Sequence, residues 1–341
     1  MGVALGVLSA PFLVALIAWG AAALWFDGPA RRSLAGFLAA LFAVLAIAAL
    51  LRVRPVWRGL LAFAVLFGGV ALWWSSIPPR NDRDWYDDVR VTPTAELHGD
   101  LLTVHGVRNF TYRSVTDWDV HWETRTYDLS KLTGLDLFMS YWGSPTIAHT
   151  IMSWEFAEGP PLAVSIETRK EKGEQYSAVR GFFRQYELYY VVADERDVIA
   201  LRTNQRGEEV FLYRLRTPPE RARRLLLSYV EAFNDLAATP RWYNAFSTNC
   251  TTTISTHIQH IVARDGGPAP VWDWRLYLNG RLDELLWEQG IVNNSMPFPA
   301  FRAASDVTQR ARAAGDGPGF SERIREGLPA RPPFLAVPSG K

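Results

Sequence analysis

Three long apolar segments, residues 3–26, 34–51 and 57–77, fill the N-terminal part of this chain of 341 residues. Each has about 18 residues or more, the length that carries an α-helix across a hydrocarbon core of about 30 Å. The first segment lacks the basic start of a cleavable signal peptide, and two more apolar segments follow it after short loops. The sequence therefore predicts three transmembrane helices that form a membrane anchor over residues 1–77.

A cytoplasmic N-terminus is an orientation that the charges of the connecting loops barely decide. It places the three arginines of the loop at 52–58 and the amino terminus on the cytoplasmic side, against two arginines in the loop at 27–33 and two just after the third segment on the other side. Basic residues are enriched in cytoplasmic loops. With three spans, this orientation places residues 80–341 outside the cytoplasm.

Charge and cysteine content limit the function of the remaining chain. The whole chain has a net charge of +1, and the five arginines and one aspartate of residues 1–77 leave −3 for the other 264 residues. A slightly acidic domain argues against a nucleic-acid partner, which would need a basic face to neutralise phosphates. Cys250 is the only cysteine, so an intramolecular disulfide is excluded, and cysteine content does not indicate the compartment.

The large domain is predicted to be rich in sheet at first and helical later. Residues 78–98 mix proline with charge and read as a linker. Alternating segments that predict strands follow at 100–107, 108–114, 119–129, 146–156, 161–169, 186–193, 197–203 and 208–215. Helical spacing and capping residues predict helices within 217–240, 250–263 and 280–290. Glycine and proline in the last 27 residues, 315–341, predict a flexible tail.

Cys250 lies in the stretch "FSTNCTTTI", residues 246–254. Asn249 or Thr248 is a suitable N-cap, which would place the cysteine in the first turn of its helix. Free backbone N–H groups and the positive end of the helix dipole lower the pKa of a thiol there and make it nucleophilic. The alternative is a small buried side chain without chemistry, and the spacing alone leaves both interpretations open.

Two histidines on the same predicted helix are poor partners for this cysteine. His257 and His260 lie seven and ten residues beyond Cys250, which is roughly 10–15 Å along a helix axis. Neither cysteine nor carboxylate stands at a ligand spacing beside them, so we expect no metal site. The histidines in the strand-like segments are interpreted as structural: His98, His105 and His121.

His149 is the better candidate for a base, because it interrupts an otherwise apolar strand. A buried imidazole without a polar partner would cost a few kcal/mol. If the hairpin turns at Glu158 and Gly159, the numbers of facing residues add up to about 316 and His149 faces Glu167. A slip by one residue would put Thr168 there instead. A carboxylate beside the imidazole would fix its tautomer, as the third member of a catalytic triad does.

A set of segments over about residues 100–295 resembles a known family. They are "RNFTYRS", "WETRTYDL", "IAHTIMSWEF", "SIETRKEKGEQYSAVRGFFRQYELYYVVADERDVIALRT", "WYNAFSTNCTT" and "WRLYLNGRLDELLWEQG". Together they are similar to the Lnb N-terminal periplasmic domain family, whose named members are lipoprotein N-acyltransferases. The resemblance implies an α+β chain: three N-terminal transmembrane helices, then a permuted papain-like (NlpC/P60-like) domain over 99–314, with an antiparallel sheet packed on helices.

The resemblance also implies roles for individual residues. Cys250 becomes the nucleophile, His149 the base and Glu167 the third catalytic residue, with Asn249 and Thr251 supporting the oxyanion. Further supporting residues are implied by the family's other matching segments: Arg169, Glu195, Arg196 and Asp197. Neither a metal nor another cofactor is implied.

The implied function is acyl transfer through a Cys250 thioester onto the N-terminus of bacterial lipoproteins. Its partners would be the lipid bilayer and a membrane lipid or diacyl lipoprotein, with the catalytic domain of a multi-pass inner-membrane protein facing the periplasm. Named acyltransferases of this kind can carry a C-terminal membrane portion, whereas here the apolar segments come first.

Two alternatives stay open. The first is a thiol peptidase or amidase that acts on envelope peptides or peptidoglycan and needs a polar groove near Cys250 rather than an apolar slot. The second is a non-catalytic membrane scaffold in which His149 is far from Cys250. The aromatic residues around the cysteine lean towards a lipid: Trp242, Tyr243, Phe246, Trp272 and Trp274.

Overall fold

The computed structural model describes residues 2–264, 273–276 and 278–334. The chain divides into two compact units. The first consists of residues 1–80, 175–187 and 242–244, and the second of residues 81–174, 188–241 and 245–341.

The first unit contains three helices, α1 (Gly2–Phe26), α2 (Arg32–Arg52) and α3 (Val56–Ser76). Over the described residues, two of them, α2 and α3, are long and apolar enough to cross a membrane, not the three expected. The stretch of α1 that was assessed, Ala10–Phe26, is apolar but shorter than the about 18 residues that a span needs. The expectation of three spans is therefore corrected to two.

The three helices pack through small residues and expose apolar ones. Ala23, Ala35 and Ala46 are fully buried between them, and small side chains of this kind let helices approach closely in a membrane. Val65 and Leu72 are 67% and 73% exposed. Such outward apolar side chains suit a lipid environment.

The second unit is built on an eight-stranded sheet with a separate two-stranded one. The strands are β1 (Thr94–His98), β2 (Leu101–Arg108), β3 (Thr111–Tyr112), β4 (Trp118–Asp119), β5 (Trp122–Asp128), β6 (Leu132–Tyr141), β7 (His149–Phe156), β8 (Leu162–Arg169), β9 (Glu187–Asp194) and β10 (Glu209–Arg214). The large sheet has the order β1-β2-β9-β8-β7-β6-β10, with β5 also paired to β2, and β3 pairs with β4. Strands β2 and β9 run parallel, whereas β6, β7 and β8 form an antiparallel meander.

The register of the β7–β8 hairpin is the one predicted from its turn. Four pairs show it, and their residue numbers each add up to 316: Ile151 with Ser165, Met152 with Val164, Ser153 with Ala163, and Trp154 with Leu162. A slip by one residue is thereby excluded for this hairpin.

Helices pack on both faces of the sheet. They are α4 (Glu195–Ala200), α5 (Pro219–Ala238), α6 (Cys250–Arg264), α7 (Leu282–Glu288), α8 (Phe298–Ala304), α9 (Thr308–Ala314) and α10 (Phe320–Arg325). Met152 and Trp154 share a hydrophobic core with residues of α5, α6 and α7. Ile151 belongs to a second core with residues of α4, α9 and α10, because successive strand residues point to opposite faces. A mixed α+β fold with a sheet packed on helices is confirmed, and the papain-like arrangement stays a prediction.

Two secondary-structure predictions need correction. Residues 197–203, expected as a strand, form most of α4 and the π-helical turn Leu201–Gln205. The Asp194 side chain accepts a hydrogen bond from the N–H of Arg196 and caps that helix. Strand β6, which lies between β7 and β10, was not predicted, because it is buried on both faces and shows little alternation.

The predicted linker and tail are also more ordered than expected. Residues 94–98 of the linker form β1, which pairs with β2. Within the predicted tail, Phe320 and Ile324 are buried, and Arg325 forms ion pairs with Asp136 and Glu195. Burial of two carboxylates without a cation would be costly, so Arg325 fixes this C-terminal segment to the sheet.

Candidate active site

Cys250 is the first residue of α6, as predicted. Asn249 caps the helix: its Oδ1 accepts the N–H of Thr252 at 2.9 Å, while its own N–H donates to Thr252 Oγ1 at 3.0 Å. The amide nitrogen of Asn249 donates to Ala245 O at 2.9 Å. Both ends of the Asn249 amide are thus engaged in local structure, so an oxyanion at Cys250 would rely on backbone N–H groups of the first turn.

His149 is the first residue of β7, and its ring joins a polar chain on the sheet. His149 Nε2 lies 2.6 Å from Ser165 Oγ, and that hydroxyl donates to Glu167 Oε1 at 2.8 Å. Since a serine hydroxyl has one proton to give, Nε2 carries the proton of the imidazole ring. Nδ1 is then unprotonated, and it makes no hydrogen bond to any of the described residues.

Glu167 also lies close to the histidine itself, 3.6 Å from His149 Nε2. Arg202 donates to Glu167 at 2.9 Å and to Glu208 at 3.1 Å. The predicted proximity of His149 and Glu167 is therefore present. Ser165 hydrogen-bonds to both side chains, and Arg202 binds Glu167.

These neighbours decide the charges of the two groups. Burial raises the pKa of Glu167, but the positive charge of Arg202, with smaller contributions from Arg206 and Arg108, outweighs this effect and holds the pKa well below its usual range. Burial lowers the pKa of His149 to about 3, with Arg202 adding to this effect and Glu167 opposing it. At neutral pH the imidazole is neutral, which is the state that accepts a proton.

Asn279 joins the start of β7 to the first turn of α6. Its Oδ1 accepts the N–H of Ala148 at 2.9 Å, and its Nδ2 donates to Ala148 O at 2.6 Å and to Thr251 Oγ1. The side chain is 3% exposed. Ala148 and Thr251 are the neighbours of His149 and Cys250, so one buried amide holds the two segments together.

Gly280 lets this amide come so close. Its N–H donates to Thr146 O at 3.0 Å, and a Cβ at this position would lie 2.2 Å from Pro145 O. Any other residue would push the loop away from the start of β7.

His149 and Cys250 nevertheless lie on opposite faces of the sheet. His149 shares a face with Ile151, whose core includes residues of α4, whereas Cys250 packs against the core of α5, α6 and α7. Among the described contacts, the sulfur lies 3.8 Å from Thr251 Oγ1 and makes no hydrogen bond to His149. The structure therefore brings His149 and Glu167 together but does not form the predicted pair of Cys250 with His149.

Tyr229 of α5 lies close to Cys250 instead. Burial raises the pKa of Tyr229 well above its usual range, with the charges of Tyr190 and Cys250 adding to it. The Tyr229 hydroxyl is buried and has no hydrogen-bond partner in the described part of the chain. His257 stacks on the Tyr229 ring with 4.3 Å between the ring centroids. It forms hydrogen bonds with the hydroxyl groups of Ser228 and Tyr190 at 2.8 and 2.9 Å.

An apolar cavity of about 400 Å³ opens beside this cysteine. Its lining includes Thr150 and Thr251, the neighbours of His149 and Cys250. Most of the remaining surface is apolar and comes from β6, β7, α6 and α7, for example Leu137, Met152, Ile254, Ile261, Leu282 and Leu285. The volume falls in the range of about 300–1,000 Å³ that is usual for small-molecule sites.

Two of the other predicted supporting residues hold loops in place. Arg169 donates to the carbonyl oxygens of Val89 and Arg90 at 2.9 and 2.8 Å. Arg196 donates to Asn109. These contacts fix the loops next to the sheet, and they give neither residue a chemical role at Cys250.

The two acidic residues of that segment are buried in ion pairs. Glu195 accepts hydrogen bonds from Ser153 and Arg325, and Asp197 accepts two from Arg108, at 2.9 and 2.7 Å. Both carboxylates are fully buried. They stabilise α4 and its neighbours.

The predicted aromatic group is spread out. Phe246 and Trp274 are 68% and 44% exposed, while Tyr243 is buried. Trp242 donates to Ile77 O within the first unit at 3.1 Å. Trp272 lies outside the described residues.

Sequence reasoning missed Ser165, Arg202 and Asn279. The hairpin register could have revealed Ser165, since it faces Ile151 and therefore points to the same face as His149. Arg202 and Asn279 carry no such local signal.

One family model matches the chain, and the match covers residues 118–280. It is the model of the Lnb N-terminal periplasmic domain, and the segment contains Cys250, His149, Glu167 and Asn279. The resemblance read from the sequence is thereby confirmed for residues 118–280, which we call the Lnb domain, and the description of the matched family points to an extracytoplasmic domain. Neither a curated protein nor a solved structure matches this chain.

Proposed function

We propose that this protein is a membrane-anchored thiol acyltransferase in which Cys250 carries an acyl chain as a thioester. The observation that supports it is the apolar cavity lined by Thr251 and Thr150. A thiol peptidase or amidase would need a polar groove for a peptide backbone. A cavity lined mainly by leucine, isoleucine and methionine suits a hydrocarbon chain.

The reaction proceeds in two balanced steps. In the first, His149 Nδ1 takes the thiol proton, the sulfur bonds to the ester carbonyl carbon, the carbon–oxygen ester bond breaks, and the proton goes to the leaving alcohol. In the second, an amine attacks the thioester, the carbon–sulfur bond breaks, and the proton released by the amine returns to the thiolate. The amine is the N-terminus of a lipoprotein.

The first step requires His149 to turn towards the sulfur. The histidine is the first residue of β7, so its ring lies at the end of the sheet, and Asn279 holds the first turn of α6 at that end. Catalytic hydrogen bonds often tighten only when substrate is bound. The unprotonated Nδ1 is the atom that would then accept the thiol proton.

The anchor is part of the proposal. Helices α2 and α3 hold the Lnb domain on the periplasmic side of the inner membrane. Confinement to the surface raises the effective concentration of a substrate that cannot leave the bilayer. The substrate is a membrane lipid or a diacyl lipoprotein.

The opposite placement of His149 and Cys250 favours a second candidate, a non-catalytic domain that binds lipid. In that case Cys250 is a half-buried side chain beside the cavity, and His149, Ser165 and Glu167 only stabilise the sheet. The lipid would occupy the same cavity without forming a covalent bond.

One experiment separates the candidates. The full chain in membranes is incubated with a radiolabelled diacyl lipoprotein or phospholipid, and the protein is then treated with hydroxylamine, which cleaves thioesters. The acyltransferase predicts a hydroxylamine-sensitive label that is absent from Cys250→Ser and reduced at least about a hundredfold in His149→Gln, the range for a lost general base.

Other outcomes contradict the proposal. No covalent label, together with photocrosslinking of a lipid probe to Ile254 or Leu285, identifies the lipid-binding domain. A label that persists in Cys250→Ser excludes the thioester.

A further inference from the structure

Segment 175–187 leaves the sheet after β8 and belongs to the same compact unit as the three N-terminal helices. Its anchor point is Asp27, in the loop between α1 and α2. Asp27 accepts hydrogen bonds from the N–H of Arg184 at 3.1 Å, from Gln185 Nε2 at 2.6 Å and from Trp74 Nε1 at 2.6 Å. The segment is thus bound to the ends of α1 and α3.

Aromatic contacts strengthen this attachment. The ring of Phe183 packs on that of Phe26, the last residue of α1, with 5.0 Å between centroids. The guanidinium of Arg184 stacks over the ring of Trp74 at 4.4 Å and donates to Ile77 O. A loop held in this way does not drift from the helix ends.

The same segment exposes three large side chains. Tyr176, Val179 and Phe182 are 49%, 58% and 46% exposed. The chain here turns tightly, with the N–H of Gly181 donating to Ser177 O at 3.0 Å and a 3₁₀ turn at 180–182. We call residues 176–182 the interfacial turn.

The position of this turn indicates which partner it contacts. The C-terminal ends of α1 and α3 and the N-terminal end of α2 meet where the turn is attached, which is the end where helices that cross a bilayer leave it. Trp25 and Trp74 stand at that level, as aromatic residues do at a membrane interface. Exposed apolar side chains beside a bilayer lower their free energy by entering it.

We infer that the interfacial turn inserts Tyr176, Val179 and Phe182 into the boundary between headgroups and acyl chains of the leaflet at this end of the helices. The partner is the lipid bilayer. The inference rests on α2 and α3 crossing the bilayer and is independent of any chemistry at Cys250.

Because Cys250 is the only native cysteine, its replacement allows a probe to be attached at one chosen position. In a Cys250→Ser background, the full chain carries Val179→Cys or Phe182→Cys, each labelled with the environment-sensitive fluorophore NBD, and is reconstituted in vesicles of phosphatidylcholine and phosphatidylglycerol. Both probes should show a blue-shifted emission and a loss of fluorescence when part of the lipid carries a nitroxide near its headgroup.

Two control positions define the range of the expected changes in fluorescence. Val115→Cys, at a valine of the second unit that is 50% exposed, should show neither the shift nor the loss. Leu72→Cys, on the exposed side of α3, should be quenched as a residue inside the bilayer. The inference is overturned if positions 179 and 182 behave like 115. It is also overturned if position 72 is not quenched, because the helices then do not lie in the bilayer.

Discussion

His149 and Cys250 lie on opposite faces of the central sheet, yet Asn279 bonds to the residue next to each of them. It contacts Ala148 through both of its polar atoms and Thr251 through one. A single side chain therefore sets the distance between the two ends of the candidate site. Any rearrangement that brings the imidazole to the sulfur takes place around this fixed link.

Replacing Asn279 by alanine should destabilise the second unit markedly. The change removes three hydrogen bonds and leaves the polar backbone groups of Ala148 without a partner, which together cost roughly 2–4 kcal/mol. Denaturant unfolding of the protein in detergent micelles, followed by tryptophan fluorescence, measures the free energy of unfolding.

The matched control is Asn293→Ala. Asn293 also makes side-chain hydrogen bonds, to Ser295 and Ala330, but these are exposed. Its loss should change the free energy of unfolding by less than about 1 kcal/mol. Equal effects of both substitutions would contradict the role of Asn279 as a buried link.

Filling the cavity should block long acyl chains. Ser255 lines the cavity, so Ser255→Trp should displace at least two methylene groups of a bound chain, worth about 0.8 kcal/mol each. Thioester labelling by a long-chain donor should then fall by about tenfold or more, and labelling by a short-chain donor should fall less. The ratio of the two labels is the measurement.

Thr256→Trp is the control for this change. Thr256 is the next residue of α6 but is exposed and does not line the cavity. Its tryptophan variant should keep the parental ratio of long-chain to short-chain labelling. If both variants lowered the labels alike, the cavity would not be the acyl site.

The sequence predicts those parts of this fold that depend on local signals. The β7–β8 register follows from the turn at Glu158 and Gly159, and the start of α6 follows from the capping residue Asn249. The apolar run around Val198 has no periodicity that separates a strand from a buried helix. In this segment, the capping hydrogen bond of Asp194 stabilises helix α4.

The site was predictable only where two residues share one hairpin. His149 and Glu167 come together through the register of β7 and β8. The face of the sheet on which α6 packs is a property of the tertiary structure, so the separation of Cys250 from His149 has no signal in the sequence. The same holds for Asn279, which is 131 residues away from Ala148.

Arg325 should be essential for the C-terminal segment. It pairs with Asp136, Glu155 and Glu195, and two of these carboxylates are fully buried. Arg325→Ala leaves Glu195 without the cation that it binds and Asp136 with Arg331 alone, and breaking a buried ion pair costs about 3–5 kcal/mol. Limited proteolysis should then cut near α10 much faster than in the parent.

Arg113→Ala is the matched control for this arginine. Arg113 pairs with two aspartates as well, but its side chain is 53% exposed, and exposed ion pairs contribute little. Proteolysis near α10 should proceed at the parental rate. Equal rates for Arg325→Ala and Arg113→Ala would mean that the buried cluster does not hold the segment.

His149 should make the stability of the protein depend on pH. Burial lowers the pKa of His149 from 6.5 to about 3, so between these values the unfolded chain takes up a proton that the folded chain does not, and stability falls as the pH drops below about 6.5. From pH 7 to pH 5 this amounts to roughly 2 kcal/mol. Between pH 7 and pH 5, the free energy of unfolding of His149→Gln should therefore fall by roughly 2 kcal/mol less than that of the parent. Denaturant unfolding at both pH values measures this difference. A parental difference in His149→Gln would show that the imidazole is protonated in the folded protein at pH 5.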